Sequence, residues 1–192
     1  MQVGKKILQG KQTQKVLAFY KPVGVTCTER DPHAEKKIMD MIRYPERLTY
    51  AGRLDKDSEG LILLTNDGDL INAMMRGANR HEKEYIVKTD REITPDFLEK
   101  MAKGIYLKDL DITTRECEIE QIGKFTFRIV LTQGVNRQIR RMCEACGYRV
   151  KALKRIRIMN ILLGDMKPGK WREITGEELE QLQRDTGMLN RN

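Results

Sequence analysis

Two short stretches of this chain hold the residue types that covalent chemistry needs. The first is Gly52-Arg53-Leu54-Asp55-Lys56-Asp57-Ser58-Glu59-Gly60, a polar, glycine-bounded turn that runs directly into Leu61-Ile62-Leu63-Leu64. An apolar run of that length after a turn reads as a buried strand. The core then anchors the loop while its acids stay near the surface. Such a loop can hold one carboxylate rigidly in a cleft, as a reactive group requires. Asp55 and Asp57 have the residue types of a glycosidase pair. One residue apart on an extended segment, however, they are expected to point to opposite sides.

The second stretch runs from Asn136 to Gly147. On a helix, Ile139, Met142, Cys143 and Cys146 form an apolar stripe, and Arg137, Arg140 and Arg141 gather on roughly the opposite side. The cysteines are therefore expected to be core thiols rather than metal ligands. Three guanidinium groups on one side suit a phosphate clamp, with one arginine turned inward to hold a carboxylate. A solvated basic face is the plain alternative.

Those residues need elements to position them. Val16 to Tyr20 reads as a strand that stops at Lys21-Pro22-Val23-Gly24, where a turn should leave Lys21 displayed. Helical patterns cover Ala34 to Arg43 and Asp69 to Arg76, the latter entered through Asn66-Asp67-Gly68. Glu84 to Asp90 alternates as a strand. Thr94 and Pro95 open a helix with an apolar stripe of Phe97, Leu98 and Met101, and Gly104 closes it. Phe125, Phe127, Ile129 and Leu131 alternate with polar or outward residues, which marks a strand with one buried face. Ile156 to Ile161 is expected to be another strand. Thr175 and Glu178 form a possible capping box for a last helix. Strands outnumber helices in no regular βαβ order, which predicts an α+β fold with a mixed, mostly antiparallel sheet and flanking helices.

At 192 residues the chain can bury a sizeable core without staples. Its 36 Lys and Arg against 28 Asp and Glu, a net charge of +8, point to a polyanionic partner. Lys151, Lys154, Arg155, Arg157, Lys167, Lys170 and Arg172 add scattered backbone-phosphate contacts. Nucleic acid ranks ahead of a membrane surface, because no long apolar segment occurs. Neither a Gly-x-x-x-x-Gly-Lys-Ser/Thr loop nor a Gly-x-Gly-x-x-Gly loop is present, so no nucleotide cofactor is expected. Four cysteines at these spacings give no disulfide framework and no metal site, and a reducing cytoplasm is the expected compartment.

Taken together, the motifs resemble the pseudouridine synthases of the RsuA/RluB/RluE/RluF branch. They are Lys21-Pro22-x-Gly24, then Gly52-Arg53-Leu54-Asp55 running on through Ser58-Glu59-Gly60-Leu61 to Asn66-Asp67-Gly68, then Lys83-Glu84-Tyr85, and Asn136-Arg137-Gln138-Ile139-Arg140-Arg141-Met142. His81 to Tyr85 and Arg157 to Asn160 look closest to the RluF type, which acts on large-subunit (23S) ribosomal RNA. The resemblance implies a catalytic domain over residues 16–192, with two sub-lobes and a central cleft. Members often carry a small RNA-binding module ahead of that domain, so residues 1–15 are expected to be a polar lead-in or the remnant of such a module.

The resemblance further implies that a base is drawn out of the RNA. It also implies that Asp55 is the nucleophile, that Tyr85 packs against the target base and that Arg140 pairs with Asp55. Substrate contacts are expected from Lys21, Arg53, Arg137, Arg141 and Leu153. On this resemblance uridine is expected to become pseudouridine with no metal or cofactor, in a cytoplasmic monomer, with transfer RNA as a second candidate substrate. Electrostatics suits these roles, since a guanidinium about 4 Å from a carboxylate at an effective dielectric near 20 contributes about 4 kcal/mol and offsets partial burial. Two rivals stand against this reading. One is a non-catalytic ribosomal-RNA-binding or assembly protein, indifferent to Asp55. The other is a nucleoside hydrolase, which would release free uracil.

Overall fold

The computed structural model describes residues 13–27 and 38–189. Most of the polar lead-in, and residues 34–37 of the Ala34 to Arg43 helical pattern, lie outside them; within the described part of that pattern Ile38–Met41 (α1) is helical.

One nine-stranded sheet dominates the described residues. Its first half pairs β1 (Val16–Lys21) with β3 (Glu59–Thr65) and β11 (Trp171–Glu173), with β2 (Thr49–Tyr50) also on β3. Its second half runs from β9 (Val150–Ile158) to β4 (Lys83–Thr89), β8 (Thr126–Leu131) and β7 (Glu118–Gly123), with β10 (Ile161–Leu162) folded back on β9. A separate hairpin joins β5 (Tyr106–Leu107) to β6 (Ile112–Thr113). Among the described residues every pairing is antiparallel except one: β3 meets β9 in parallel through only Glu59 with Lys154 and Gly60 with Arg155. The fold is α+β with a mixed, mostly antiparallel sheet, as the sequence predicts.

Hydrophobic pattern decides which faces are covered. β1 and β3 read as continuous apolar runs, and accordingly both faces of the first half are buried. Val16, Ala18, Leu61 and Leu63 pack on one side with α2 (Gly68–Met75) and α5 (Gly176–Asp185). Leu17, Phe19, Ile62 and Leu64 pack on the other against Ile38 of α1. β4 and β8 alternate instead. Their inward residues Val87, Phe127, Ile129 and Leu131 meet Phe97 and Met101 of α3 (Pro95–Lys103), and Ile139, Met142 and Cys143 of α4 (Gln138–Ala145). The outward face of this half carries a charge ladder. Arg128 reaches Glu118 at 2.6 Å, Glu120 at 3.2 Å and Glu84 at 3.6 Å, while Arg157 reaches Glu84 at 2.9 Å and Glu82 at 3.1 Å.

Local signals held where nothing competed with them. Thr94 accepts the Phe97 N–H at 3.1 Å, and Pro95 occupies the first turn of α3. The thiols of Cys143 and Cys146 pack in or against the second-half core, as the apolar stripe requires. Two expectations fail. The capping box at Thr175 does not form, because Glu178 is held instead by the Arg172 guanidinium at 2.6 and 3.0 Å. A charge-assisted fork outcompetes a single backbone contact. Nor is Ile156 to Ile161 one strand: β9 ends at Ile158, and Met159, at φ 54°, turns the chain back into β10.

The parallel seam depends on one residue. Gly60 sits at φ 116°, and a Cβ there would lie 2.2 Å from the Arg155 carbonyl oxygen. Gly60→Ala should therefore lose at least ~3 kcal/mol of unfolding free energy in urea titrations. Gly68→Ala is the control, since an added Cβ there meets nothing within 4 Å; it should be neutral or slightly stabilising.

Candidate active site

The segment from Gly52 to Ser58 leaves the sheet just before the seam and forms one wall of a cleft of about 410 Å³. Tyr85, Lys83, Leu131, Leu153 and Arg155 supply the sheet side, and residues 133–140 close it from the second half. The cleft thus lies between the two halves, as the resemblance implies for two sub-lobes.

Several contacts hold the loop, and most come from residues that do not face the cleft. The Ser58 N–H donates to the Asp55 carbonyl at 3.0 Å, which turns the chain between the two aspartates. Gly24 N–H donates to the Lys56 carbonyl at 2.7 Å, and the Cys27 thiol donates to the Leu54 carbonyl at 3.2 Å. Arg155 Nη1 donates to the Arg53 carbonyl at 3.3 Å, and its Nε to Leu61 at 2.8 Å. The Tyr20 hydroxyl donates to Glu59 at the loop's end.

Lys21 belongs to this scaffold and is not displayed. Its side chain is fully buried, and its ammonium donates to the carbonyls of Val25 at 2.7 Å, Pro22 at 2.8 Å and Lys56 at 3.4 Å. The Pro22 to Gly24 turn, expected to expose the lysine, instead folds carbonyls around it.

The aspartates also differ from expectation. Because the chain turns after Asp55, both acids meet one guanidinium rather than diverging. Arg137 lies 3.3 Å from Asp55 and grips Asp57 through two hydrogen bonds of 3.1 and 3.0 Å. This bidentate grip holds the Asp57 carboxyl below the usual carboxylate range. Arg140, the expected partner of Asp55, donates instead to the Asp57 carbonyl and the Ser58 hydroxyl, both at 3.1 Å. The reason is local geometry. Arg137 does not lie on the helix with Arg140 and Arg141; it precedes α4 as its cap, in the left-handed conformation at φ 50°. That turn swings its side chain toward the loop. A non-glycine residue held there costs on the order of 1 kcal/mol or more and marks a position that the surroundings over-determine.

The remaining candidates divide. The Asp55 side chain keeps 36% of its exposure, so it is open to a ligand in the cleft. Tyr85 is half-buried on β4 with one side toward the cleft, Leu153 forms apolar wall beneath it, and Arg53 is exposed at the edge. Arg141 does not line the cleft and bonds back to the Asn136 carbonyl at 2.9 Å. Sequence reasoning passed over Asp57, Ser58, Lys83 and Arg155 as parts of the site. For Arg155 a signal existed: it falls two residues after buried Leu153, at an inward position of β9. Among the described residues, no group of three or more His, Cys, Asp or Glu is placed to hold a metal ion.

The RNA pseudouridylate synthase family profile matches residues 15–145. The dual-specificity RNA pseudouridine synthase RluF of Escherichia coli K12 is 47% identical over 167 residues, 87% of this chain and 57% of that protein. Ribosomal large subunit pseudouridine synthase B of Vibrio cholerae is 34% identical over 177 residues, 88% of this chain and 54% of that one. A pseudouridylate synthase crystal structure superposes with a TM-score of 0.84 at 27% identity, covering 90% of this chain and 75% of that one. This chain belongs to the RNA pseudouridylate synthase family. Within it, the Escherichia coli and Vibrio cholerae synthases are relatives, and the chain spans little more than half the length of either.

Burial pulls the Lys21 ammonium down to about 8 from 10.5, against the opposing attraction of Cys27, Asp55, Asp57 and Glu59. Between those values the unfolded chain holds a proton that the folded chain has released, so stability attributable to this group rises with pH. The unfolding free energy of wild type relative to Lys21→Met should therefore improve as pH climbs from about 8 toward 10.5 in denaturant titrations. A difference flat in pH would place the ammonium in water.

Proposed function

We propose that this chain isomerises uridine to pseudouridine in RNA, with Asp55 as the nucleophile. The observation that carries the reading is an aspartate held open to a cleft, 3.3 Å from the Arg137 guanidinium and facing the same space as Tyr85. The Arg137 guanidinium sets an opposite charge 3.3 Å from the Asp55 carboxylate, an attraction that strengthens as a bound substrate excludes water. Tyr85 offers a flat aromatic for the extruded base, a contact of about 1–3 kcal/mol. The anchored loop keeps the carboxylate in place as the base enters, so orientation need not be acquired at the moment of reaction.

The substrate we favour is large-subunit ribosomal RNA. The support is the net charge of +8, and the similarity to a large-subunit synthase and to RluF, whose name declares two specificities. Transfer RNA is the second substrate to be tried.

Asp55→Asn should fold normally and form no pseudouridine, scored as carbodiimide-dependent reverse-transcription stops on unmodified ribosomal RNA. RNA binding that survives with no product from wild type would favour the non-catalytic rival, and free uracil would favour the hydrolase. Arg137→Met should slow conversion at least ~100-fold, about 2.7 kcal/mol of barrier. If Arg137→Met is silent while Arg140→Met abolishes turnover, Asp55 uses Arg140 once RNA is bound.

A further inference from the structure

Two cations on the cleft floor, Lys83 and Arg155, make no ion pair within 4 Å among the described residues. Lys83 opens β4, and Tyr85, two residues on, projects from the same side of that strand. Across the ladder Tyr85 faces Arg155, while Glu84 faces Arg157, so Ile156 is an extra residue in β9. This bulge aims Arg155 into the cleft. The Arg155 side chain is 2% exposed, and two of its nitrogens are spent on backbone carbonyls. Its third, Nη2, is buried without any hydrogen-bond partner. Burial, and then the Arg155 charge beside it, pull the Lys83 ammonium down to about 8, with no carboxylate acting against them. Like charges confined in a poorly solvated floor are unfavourable until an anion or a strong acceptor joins them.

We propose that Lys83 and Arg155 Nη2 receive the negative charge that the uracil ring acquires as it leaves its sugar. This rests on the pseudouridine synthase reading above. The depth of the two groups selects the occupant. A backbone phosphate is tethered on both sides by its chain and stays at the rim, whereas an extruded base leads with its edge and brings its carbonyl oxygens to the floor. In the step itself the C1′–N1 bond breaks, and its electron pair goes to N1. The ring is then an anion with charge spread over N1, O2 and O4, and the electron-deficient C1′ lies against the Asp55 carboxylate. After the ring turns, a ring electron pair forms the C5–C1′ bond; the proton lost from C5 is matched by one gained at N1. Donors aimed at the carbonyl oxygens stabilise this anion more than the neutral base, which is the condition for accelerating cleavage. An ammonium that loses its proton at about pH 8 rather than 10.5 is also a better proton donor to the ring.

The test compares wild type, Lys83→Met and Lys83→Arg in single-turnover conversion of uridine and in RNA binding across a salt series. Lys83→Met should slow conversion at saturating enzyme at least ~100-fold. Its Kd should stay within about twofold of wild type, with the same slope of log affinity against log salt. Lys83→Arg should recover much of the rate, because charge rather than shape is required. Thermal melting should show Lys83→Met as stable as wild type or more so, since an unbalanced cation is removed; if it does not fold, Lys83→Gln serves in its place. A wild-type rate in the variant overturns the inference. So does weakened binding with a salt slope reduced by about 1, which would make Lys83 a phosphate contact. Failure of wild type to convert any RNA removes the parent reading and this inference together. A working wild type with an unaffected variant removes the inference alone.

Discussion

The site depends on a seam two residue pairs wide. Glu59 with Lys154 and Gly60 with Arg155 are the whole of the pairing between β3 and β9, and the only parallel pairing among the described residues. An antiparallel sheet of this size would ordinarily continue its ladder. Here the ladder stops, because the chain ahead of Glu59 turns out of the sheet to make the Asp55 loop. The interruption that creates a cleft is thus the same event that delivers the carboxylate to it. Arg155 spans the interruption with backbone on one side and guanidinium on the other, and only a residue without a Cβ lets the two backbones approach so closely.

Around that seam, rigidity comes largely from groups outside the cleft lining, with Arg155 serving both sides. A buried ammonium, a thiol, a glycine N–H and a guanidinium each donate to a carbonyl of the loop. Backbone carbonyls this close to the interior need donors, and the fold supplies them from β1 and the turn after it. Arg137, kept in the left-handed region, carries the same logic to the other wall. Strain at a residue that reaches two aspartates is retained because those contacts repay it.

How far the sequence could be read follows from range. Periodicity and caps act over a few residues, so β1, β3, β8, α3 and the stripe of α4 were legible from their own side chains. The buried face of β8 and the Thr94 cap are direct outcomes of pattern. Contacts made across the chain were not legible. The Lys21 ammonium and the Lys56 carbonyl are 35 residues apart, and Arg137 and Asp57 are 80 apart. Local rules therefore put Lys21 in solvent, set the two aspartates on opposite sides, and did not single out Arg137 among three arginines as the neighbour of Asp55. Glu178 shows the same limit, since its partner Arg172 is invisible to a capping rule. The motif order pointed to the family and to Asp55, but the particular guanidinium beside it was decided by one backbone torsion.

The charge ladder on the outer face of the second half has a consequence for approach. It sets four glutamates against two arginines, Arg128 and Arg157. By register Lys88 of β4 and Lys154 of β9 stand on that same face, so acids and bases there balance. A face balanced in this way projects little long-range field into bulk solvent. Long-range fields fade with added salt, whereas the short contacts inside the cleft persist. The ladder thus ties β7, β8, β4 and β9 together side by side without making their outer face a sink for either sign of charge.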